Sequence, residues 1–583
     1  MILKYLRKVD WALLAATVVF VFLQVYLELE IPGYMNKITT IMTTGGTSQD
    51  VMEEGKWMLV CAFGSLVMAV IVGFIAAYIG TYLGKTLRER QFENVQRYSA
   101  TELNRFSIYS LITRSTNDVN QVQMAFTIGL MVMIRAPIMA VWAIMKISTK
   151  NVEWTSATVV AIVAMVSCIA LIIWYVFPRF KRIQWLNDDV NRITKEGLSG
   201  IRVVHAYNAE GFQERRFEKA NEKLTNTHLE ITRALAFLFP AMTAIMSVLS
   251  MAIYWLGAII INATESPVEK ITEFSDMIVF SSYAMQVIGA FMMLIIVFMI
   301  LPRAMVAAKR IEEVINADPV VKDGPVEDSP DGREGEIVFR NVSFRYPESA
   351  NDSLTDISFE LSKGETLAII GSTGSGKSTL VNLIPRFYDV TDGQILIDGV
   401  DIREYNLESL RGKIGYVPQK ASLFTGTIES NVNYGGTEEE RTEDDVRKAV
   451  EIAQARDFVE RAEGQYQGKV AEGGTNLSGG QKQRISIARA VCKRPEIYIF
   501  DDSFSALDYR TDRLLRSELR KETAGVTTII VAQRIGTIMD ADRIIVLDEG
   551  RMVGMGTHHE LLKNCEVYHQ IAASQLSEEE LMR

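Results

Sequence analysis

The sequence predicts an all-α membrane domain of six spanning helices with long cytosolic helical extensions, followed by an α/β domain on a mainly parallel sheet. Three observations carry this. Six apolar segments stand out in the first half, at about 11–31, 57–83, 125–147, 155–177, 237–261 and 276–301. The connections between them alternate between rich and poor in Lys and Arg. Beyond a cluster of Pro, Gly and Asp at 316–336, short β-rich runs alternate with helical stretches.

Each apolar segment is long enough to cross ~30 Å of hydrocarbon at about 1.5 Å per residue. A buried soluble helix explains any one of them but not six. The first, in "MILKYLRKVDWALLAATVVFVFLQVYLELE", follows a cationic start. Its run is too long for a signal peptide and no small-residue cleavage site follows, so it is expected to be retained. The 84–124 and 178–236 connections carry many cations, among them Arg88, Arg90, Arg97, Lys181 and Arg182. Lys4, Arg7 and Lys8 precede the first span, and Arg303, Lys309 and Arg310 follow the last. The positive-inside rule then predicts a multi-pass protein of the cell membrane with both termini in the cytoplasm.

The two basic connections are almost free of proline and read as amphipathic helix, so the spans are expected to continue into the cytosol by ~30 Å per 20 residues. The expected domains are 1–316 in the membrane, a linker at 317–335, and a second domain at 336–583. The formal charge is −10 without a long basic run, which argues against a nucleic-acid partner. The cysteines at 61, 168, 492 and 565 lack metal-ligand or redox spacing and read as small buried hydrophobes.

Two stretches in the second domain carry chemistry. The β-run "TLAII" leads into "GSTGSGKST", comprising Gly371, Ser372, Thr373, Gly374, Ser375, Gly376, Lys377, Ser378 and Thr379. Glycines let such a loop curl so that its N–H groups face phosphate oxygens. The lysine reaches the β- and γ-phosphates, and Ser378 can ligate Mg²⁺. The buried run "IYIFDD" ends in carboxylates, and Asp501 fits a second Mg²⁺ ligand. Between them, "NLSGGQKQRISIARA" places Ser478, Gly479, Gly480 and Gln481 at the start of a basic helix. That suits a phosphate, although an ordinary glycine-capped helix start has the same spacing.

Taken together, these residues resemble those of an ABC exporter half-transporter, and the resemblance covers essentially the whole chain. "LSGGQ" is similar to the family's signature motif, which implies an ABC-type P-loop nucleotide-binding domain with ATP and Mg²⁺ as ligands. Tyr346 resembles the aromatic that stacks on adenine. Gln419 resembles the Q-loop glutamine, which touches Mg²⁺. "SALD" at 505–508 resembles the D-loop, and "AEGGTNLSGG" sits where exporters carry their X-loop. The segments around "NRFSIYSLITRSTNDVNQVQ" and "GLSGIRVVHAYNAEG" resemble the intracellular loops whose tips form coupling helices. In this family two nucleotide-binding domains sandwich each ATP between the phosphate loop of one and the signature of the other. Ser478, Gly479, Gly480 and Gln481 would therefore serve the partner's nucleotide.

Two positions depart from the family pattern. The residue after Asp501 is usually Glu, the general base, and here it is Asp502. The switch histidine is replaced by Gln533. A carboxylate withdrawn by about 1.5 Å, one C–C bond, activates water poorly. An amide hydrogen-bonds but does not take up a proton as imidazole does. The resemblance thus implies the degenerate-site subunit of a heterodimeric multidrug exporter. Its partner would be a second half-transporter carrying the main catalytic base. Three alternatives stay open: an exporter of a defined lipid or peptide, a homodimeric slow ATPase, and a mainly regulatory ATP-binding subunit. The other expected partners are the lipid bilayer and a hydrophobic or amphipathic small-molecule cargo. The last span, with Ser281, Ser282, Tyr283, Gln286 and several methionines, fits an adaptable cavity and equally fits plain helix packing. Arg135 is either a functional site or a structural partner of a backbone carbonyl or an acidic group on another helix. Glu28 and Glu30 are expected to be solvated at the outer interface.

Overall fold

The computed structural model describes residues 2–148, 152–328, 333–347, 349–435 and 441–576. Residues 329–332 of the expected linker lie outside that set. Two compact units result. One comprises Met1–Asn94 and Tyr109–Asn316. The other comprises Val95–Ile108 and the chain from Ala317 onward.

In the first unit, six helices among the described residues are long and apolar enough to span a membrane: Lys8–Thr43, Ser48–Gln96, Ile108–Ser148, Val152–Ser199, Glu210–Ala263 and Pro267–Ile315. Each outruns its apolar segment, because the amphipathic connections continue the same helices. A helix satisfies every interior backbone group locally, so it crosses hydrocarbon and continues into water without a break. The short helix Ile201–Ala206 falls within the second expected coupling segment, whereas Ala100–Phe106, which belongs to the other unit, overlaps the first only at 104–106. Large apolar side chains such as Val19, Phe63, Phe74, Trp174, Phe177 and Trp255 point outward, as a lipid-facing surface requires. Inside, Trp154 packs against Phe280 at 5.5 Å, and the buried Tyr283 donates to the Leu29 carbonyl at 2.9 Å.

Close backbone approach sets the contact between the second and third spanning helices. A Cβ at Gly80 would stand 2.2 Å from Thr127 Oγ1, and one at Gly84 would stand 2.6 Å from Gln123 Oε1. Small residues one turn apart let membrane helices pack without a hydrophobic driving force.

The charges in this unit correct one expectation. Glu28 and Glu30 are not merely solvated. Arg135 donates from one Nη to both oxygens of Glu28 at 2.8 Å, and Lys146 reaches Glu30 at 3.0 Å. Arg135 therefore has the acidic partner that was one of its two readings. The Arg135 and Glu28 side chains are each about one-quarter exposed (24% and 25%), and Arg135 Nε is buried without a hydrogen-bond partner.

In the second unit, a six-stranded sheet runs in the order Arg551–Gly556, Arg543–Asp548, Thr366–Gly371, Thr527–Val531, Ile497–Asp501, Ile414–Val417. All pairings are parallel except that of the first two strands. A smaller antiparallel sheet orders Leu354–Leu361, Ile337–Phe344, Asp392–Ile397 and Val400–Asp401. One core, including Phe339, Phe359, Leu367, Ile369 and Ile499, packs between the sheets. A second core lies under the helical stretch and includes Val432, Val450, Ile485 and Phe500. The four cysteines are free thiols; three are buried and Cys168 is half-buried.

Truncating Glu28 to Leu strands the Arg135 guanidinium. The variant should lose about 1–3 kcal/mol, visible as a lower thermal midpoint in detergent, and Glu28→Leu with Arg135→Leu should recover part of it. A double variant whose loss equals the sum of the Glu28→Leu and Arg135→Leu losses would remove the pairing as a stabilising element.

Candidate nucleotide site

Parallel pairing brings the candidate residues together. Val531 lies beside both Ile369 and Asp501, and Phe500 lies beside Val417. The segments beginning at Gly371, Gln419, Asp502 and Gln533 therefore leave the same carboxyl edge of the sheet, where α/β folds hold their ligands.

The phosphate loop follows its strand and enters the helix Lys377–Leu383 through Gly376, whose φ of +99 is left-handed. A Cβ there would stand 2.8 Å from Leu354 Cδ2 and 2.9 Å from the Ser353 carbonyl. Lys377 Nζ donates to the carbonyls of Gly371 at 2.9 Å and Ser372 at 2.7 Å. Burial pushes this amine below the ordinary lysine value, with partial relief from Asp502 and Asp501. Ser378 Oγ donates to Asp501 Oδ1 at 3.0 Å. Burial pushes the Asp501 carboxyl up, the Ser378 bond opposes that, and the Asp502 charge adds to it. A polyphosphate beside Lys377 and a cation beside Asp501 would each favour the charged form that burial disfavours.

Asp502 follows the strand at φ +47, a left-handed conformation that Asp tolerates better than most residues. Its N–H donates to Val531 O at 3.0 Å, and its carbonyl accepts from Ser505 Oγ at 2.9 Å. Its side chain is gripped from two sides. Gln533 Nε2 donates to Oδ2 at 2.7 Å, and Gln419 Nε2 donates to the same oxygen at 3.2 Å. Two donors occupy both lone pairs of Oδ2, which leaves Oδ1 as the freer oxygen.

Tyr346 stands just past the strand Ile337–Phe344. Its hydroxyl shares a 3.1 Å hydrogen bond with Thr379 Oγ1, and its ring meets Tyr388 edge-on at 5.3 Å. An open cavity of about 630 Å³ is lined by Tyr346, Thr373, Gly374, Gly376, Lys377, Ser378, Thr379, Gln419, Asp501, Asp502 and Gln533. Gly371, Ser372 and Ser375 belong to the loop's frame, and Ser375 Oγ is buried without a partner. Ser353, Glu549 and Gly550 also line the cavity and escaped the sequence reading. Only the turn-like "LDEG" hinted at the last two.

Ser478, Gly479, Gly480 and Gln481 do not line this cavity. Ser478 caps the helix Gly479–Cys492 reciprocally: its N–H donates to Gln481 Oε1 at 2.9 Å, and its Oγ accepts from the Gln481 N–H. Ser478 and Gly479 are exposed. The helix start thus lies outside the cavity of its own phosphate loop and is accessible from outside.

The donor set fits a magnesium nucleotide. Ser378, Gln419 and Asp501 are oxygen donors suited to a hard cation, and with Lys377 they line one open cavity.

Residues 354–505 match the family model described as ABC transporter, and residues 14–291 match ABC transporter transmembrane region. The chain is 39% identical over 535 residues to an uncharacterised ABC transporter ATP-binding protein of Mycobacterium tuberculosis, covering 91% of this chain and 90% of that one. It is 33% identical to the ATP-dependent lipid A-core flippase of Pseudomonas fluorescens, covering 86% and 84%. The solved structure of a bacterial Atm1-family ABC exporter with ATP bound superposes with a TM-score of 0.80 at 26% identity, covering 98% and 99%.

Lys377→Ala should weaken binding of a fluorescent ATP analogue by about tenfold or more, as loss of a charge-assisted contact implies. Gly376→Ala should damage binding more than Gly374→Ala. Both positions have positive φ, yet a Cβ at Gly374 meets nothing within 4 Å. Equal effects of the two glycine variants would mean that backbone strain, not crowding, governs the loop.

Proposed function

The chain belongs to the ABC transporter family as an exporter half-transporter, and on that premise we propose that it forms one half of an asymmetric heterodimer. It is an ATP-driven multi-pass membrane protein with its nucleotide-binding domain in the cytosol. In our reading, both termini are cytosolic. The site on its own phosphate loop binds ATP and hydrolyses it poorly, while its "LSGGQ" completes the partner's hydrolytic site.

The observation that carries this reading is the state of Asp502. Its carboxylate is one methylene short of the family's base, and its Oδ2 already accepts from Gln533 and Gln419. A group so held is poorly placed to orient a water, and misplacement near 1 Å costs on the order of 10²-fold in rate. Gln533 can donate a hydrogen bond to a phosphate but cannot relay a proton. Lys377 and the loop N–H groups hold the phosphates, and Tyr346 supplies a ring for the base. Ser378, Gln419 and Asp501 would hold Mg²⁺, which supplies positive charge against the β- and γ-phosphates. Closure of two such domains around nucleotide is proposed to drive the long helices between inward-facing and outward-facing states.

The proposed cargo is a hydrophobic or amphipathic small molecule, including multidrug substrates. A defined lipid is the second reading, favoured by the similarity to proteins named lipid A-core flippase.

Purified without a partner, the chain should bind ATP and turn it over slowly. In the assembled pair, Asp502→Glu should change turnover by less than about threefold, whereas replacing the partner's base by Gln should lower it by about 10²-fold. Brisk hydrolysis by the isolated chain, or recovery of most of a missing activity by Asp502→Glu, would sink the asymmetric reading.

A further inference from the structure

We propose that Gln575, at the end of the C-terminal helix, is a positioning residue that holds Gln533 against Asp502 and so sets nucleotide retention. This rests on the nucleotide-site reading above. The strand Thr527–Val531 ends at the sheet edge, and the next helix is only Ile535–Ile538. The short segment between them carries Gln533. Its helix start lacks a local cap, because the Arg534 side chain makes no capping bond. Gln575 supplies one from elsewhere in the chain. Its Oε1 accepts from the Ile535 N–H at 2.9 Å, and its Nε2 donates to the Gln533 carbonyl at 2.9 Å. One planar amide thus grips the backbone on both sides of Arg534, as a neighbouring strand would. Fixing the Gln533 carbonyl and the Ile535 N–H limits rotation of the backbone that aims the Gln533 side chain. That side chain makes the 2.7 Å bond to Asp502.

Gln575 is exposed, and its backbone is tied to the helix before it. Its N–H and that of Leu576 both donate to the Ala572 carbonyl, at 3.0 and 2.8 Å. The preceding helix, Glu566–Ala573, is anchored by fully buried Tyr568, whose hydroxyl meets His558 Nδ1 at 2.7 Å. Leu576 packs on the cluster that contains Ala532, Ile535 and Ile538. A continuous hydrogen-bonded path therefore runs from the C-terminal helix through Gln575, Gln533 and Asp502 to Gln419.

The test is a double-variant cycle on the full-length chain in lipid nanodiscs, following release of a fluorescent ATP analogue after a chase with ATP. Gln575→Leu should speed release about fivefold, the scale of losing two neutral hydrogen bonds, and should raise deuterium uptake across 533–537. Gln533→Ala should speed release comparably, and adding Gln575→Leu to it should change release by less than about 1.5-fold. Gln575→Glu keeps the acceptor for Ile535 and loses the donor to Gln533, so it should fall between, and it serves if the Leu variant does not fold. A merely structural role for Gln575 predicts the same factor in both backgrounds, and that result overturns the inference alone. So does unchanged release in the otherwise unsubstituted chain. Absence of analogue binding to the unsubstituted chain overturns the nucleotide-site reading and this inference with it.

Discussion

Parallel backbone pairing of Thr366–Gly371, Thr527–Val531 and Ile497–Asp501 is the constraint on which the second unit depends. Parallel strands end together, so the segments that follow them emerge side by side. Gly371 begins the phosphate loop, Asp502 follows Asp501, and Gln533 lies two residues beyond Val531. A one-residue slip in any of these ladders would turn a functional side chain to the opposite face of the sheet. The buried apolar runs on these strands resist such a slip, because each packs between two hydrophobic layers.

Polar groups at that edge are arranged around charge that burial makes costly. Lys377 leans on the carbonyls of its own loop, Asp501 on Ser378, and Asp502 on two glutamines. The first two sets have groups free to regroup around a bound nucleotide and metal. The third is different in kind. Asp502 is tied to two neighbouring loops at once, and one of those loops is tied in turn to the C-terminal helix. Through these bonds the Asp502 carboxylate joins separate parts of the domain.

The membrane unit follows a separate logic. Its helices extend past the bilayer because helical hydrogen bonding is indifferent to the change of solvent. Its charges survive burial because Arg135 and Lys146 find Glu28 and Glu30 on another helix. Glycines at 80 and 84 set how near two helices come.

Much of this was legible in the amino-acid order, for local reasons. Apolar length marked the six spans, and glycine spacing with Lys377 and Ser378 marked the phosphate loop. Asp502 and Gln533 stood out as substitutions in a recognisable pattern. What the sequence determined by itself are the properties carried by neighbours along the chain: period, span length, turn chemistry and motif spacing. Only the tertiary structure decided that Glu28 meets Arg135, that Gln419 and Gln533 share one oxygen of Asp502, and that Gln575 grips the loop of Gln533. These partners lie 107, 83, 31 and 42 residues apart. Hydrogen bonds and ion pairs act over about 3 Å of space and leave no periodic trace along the chain, so folding alone selects the pairs.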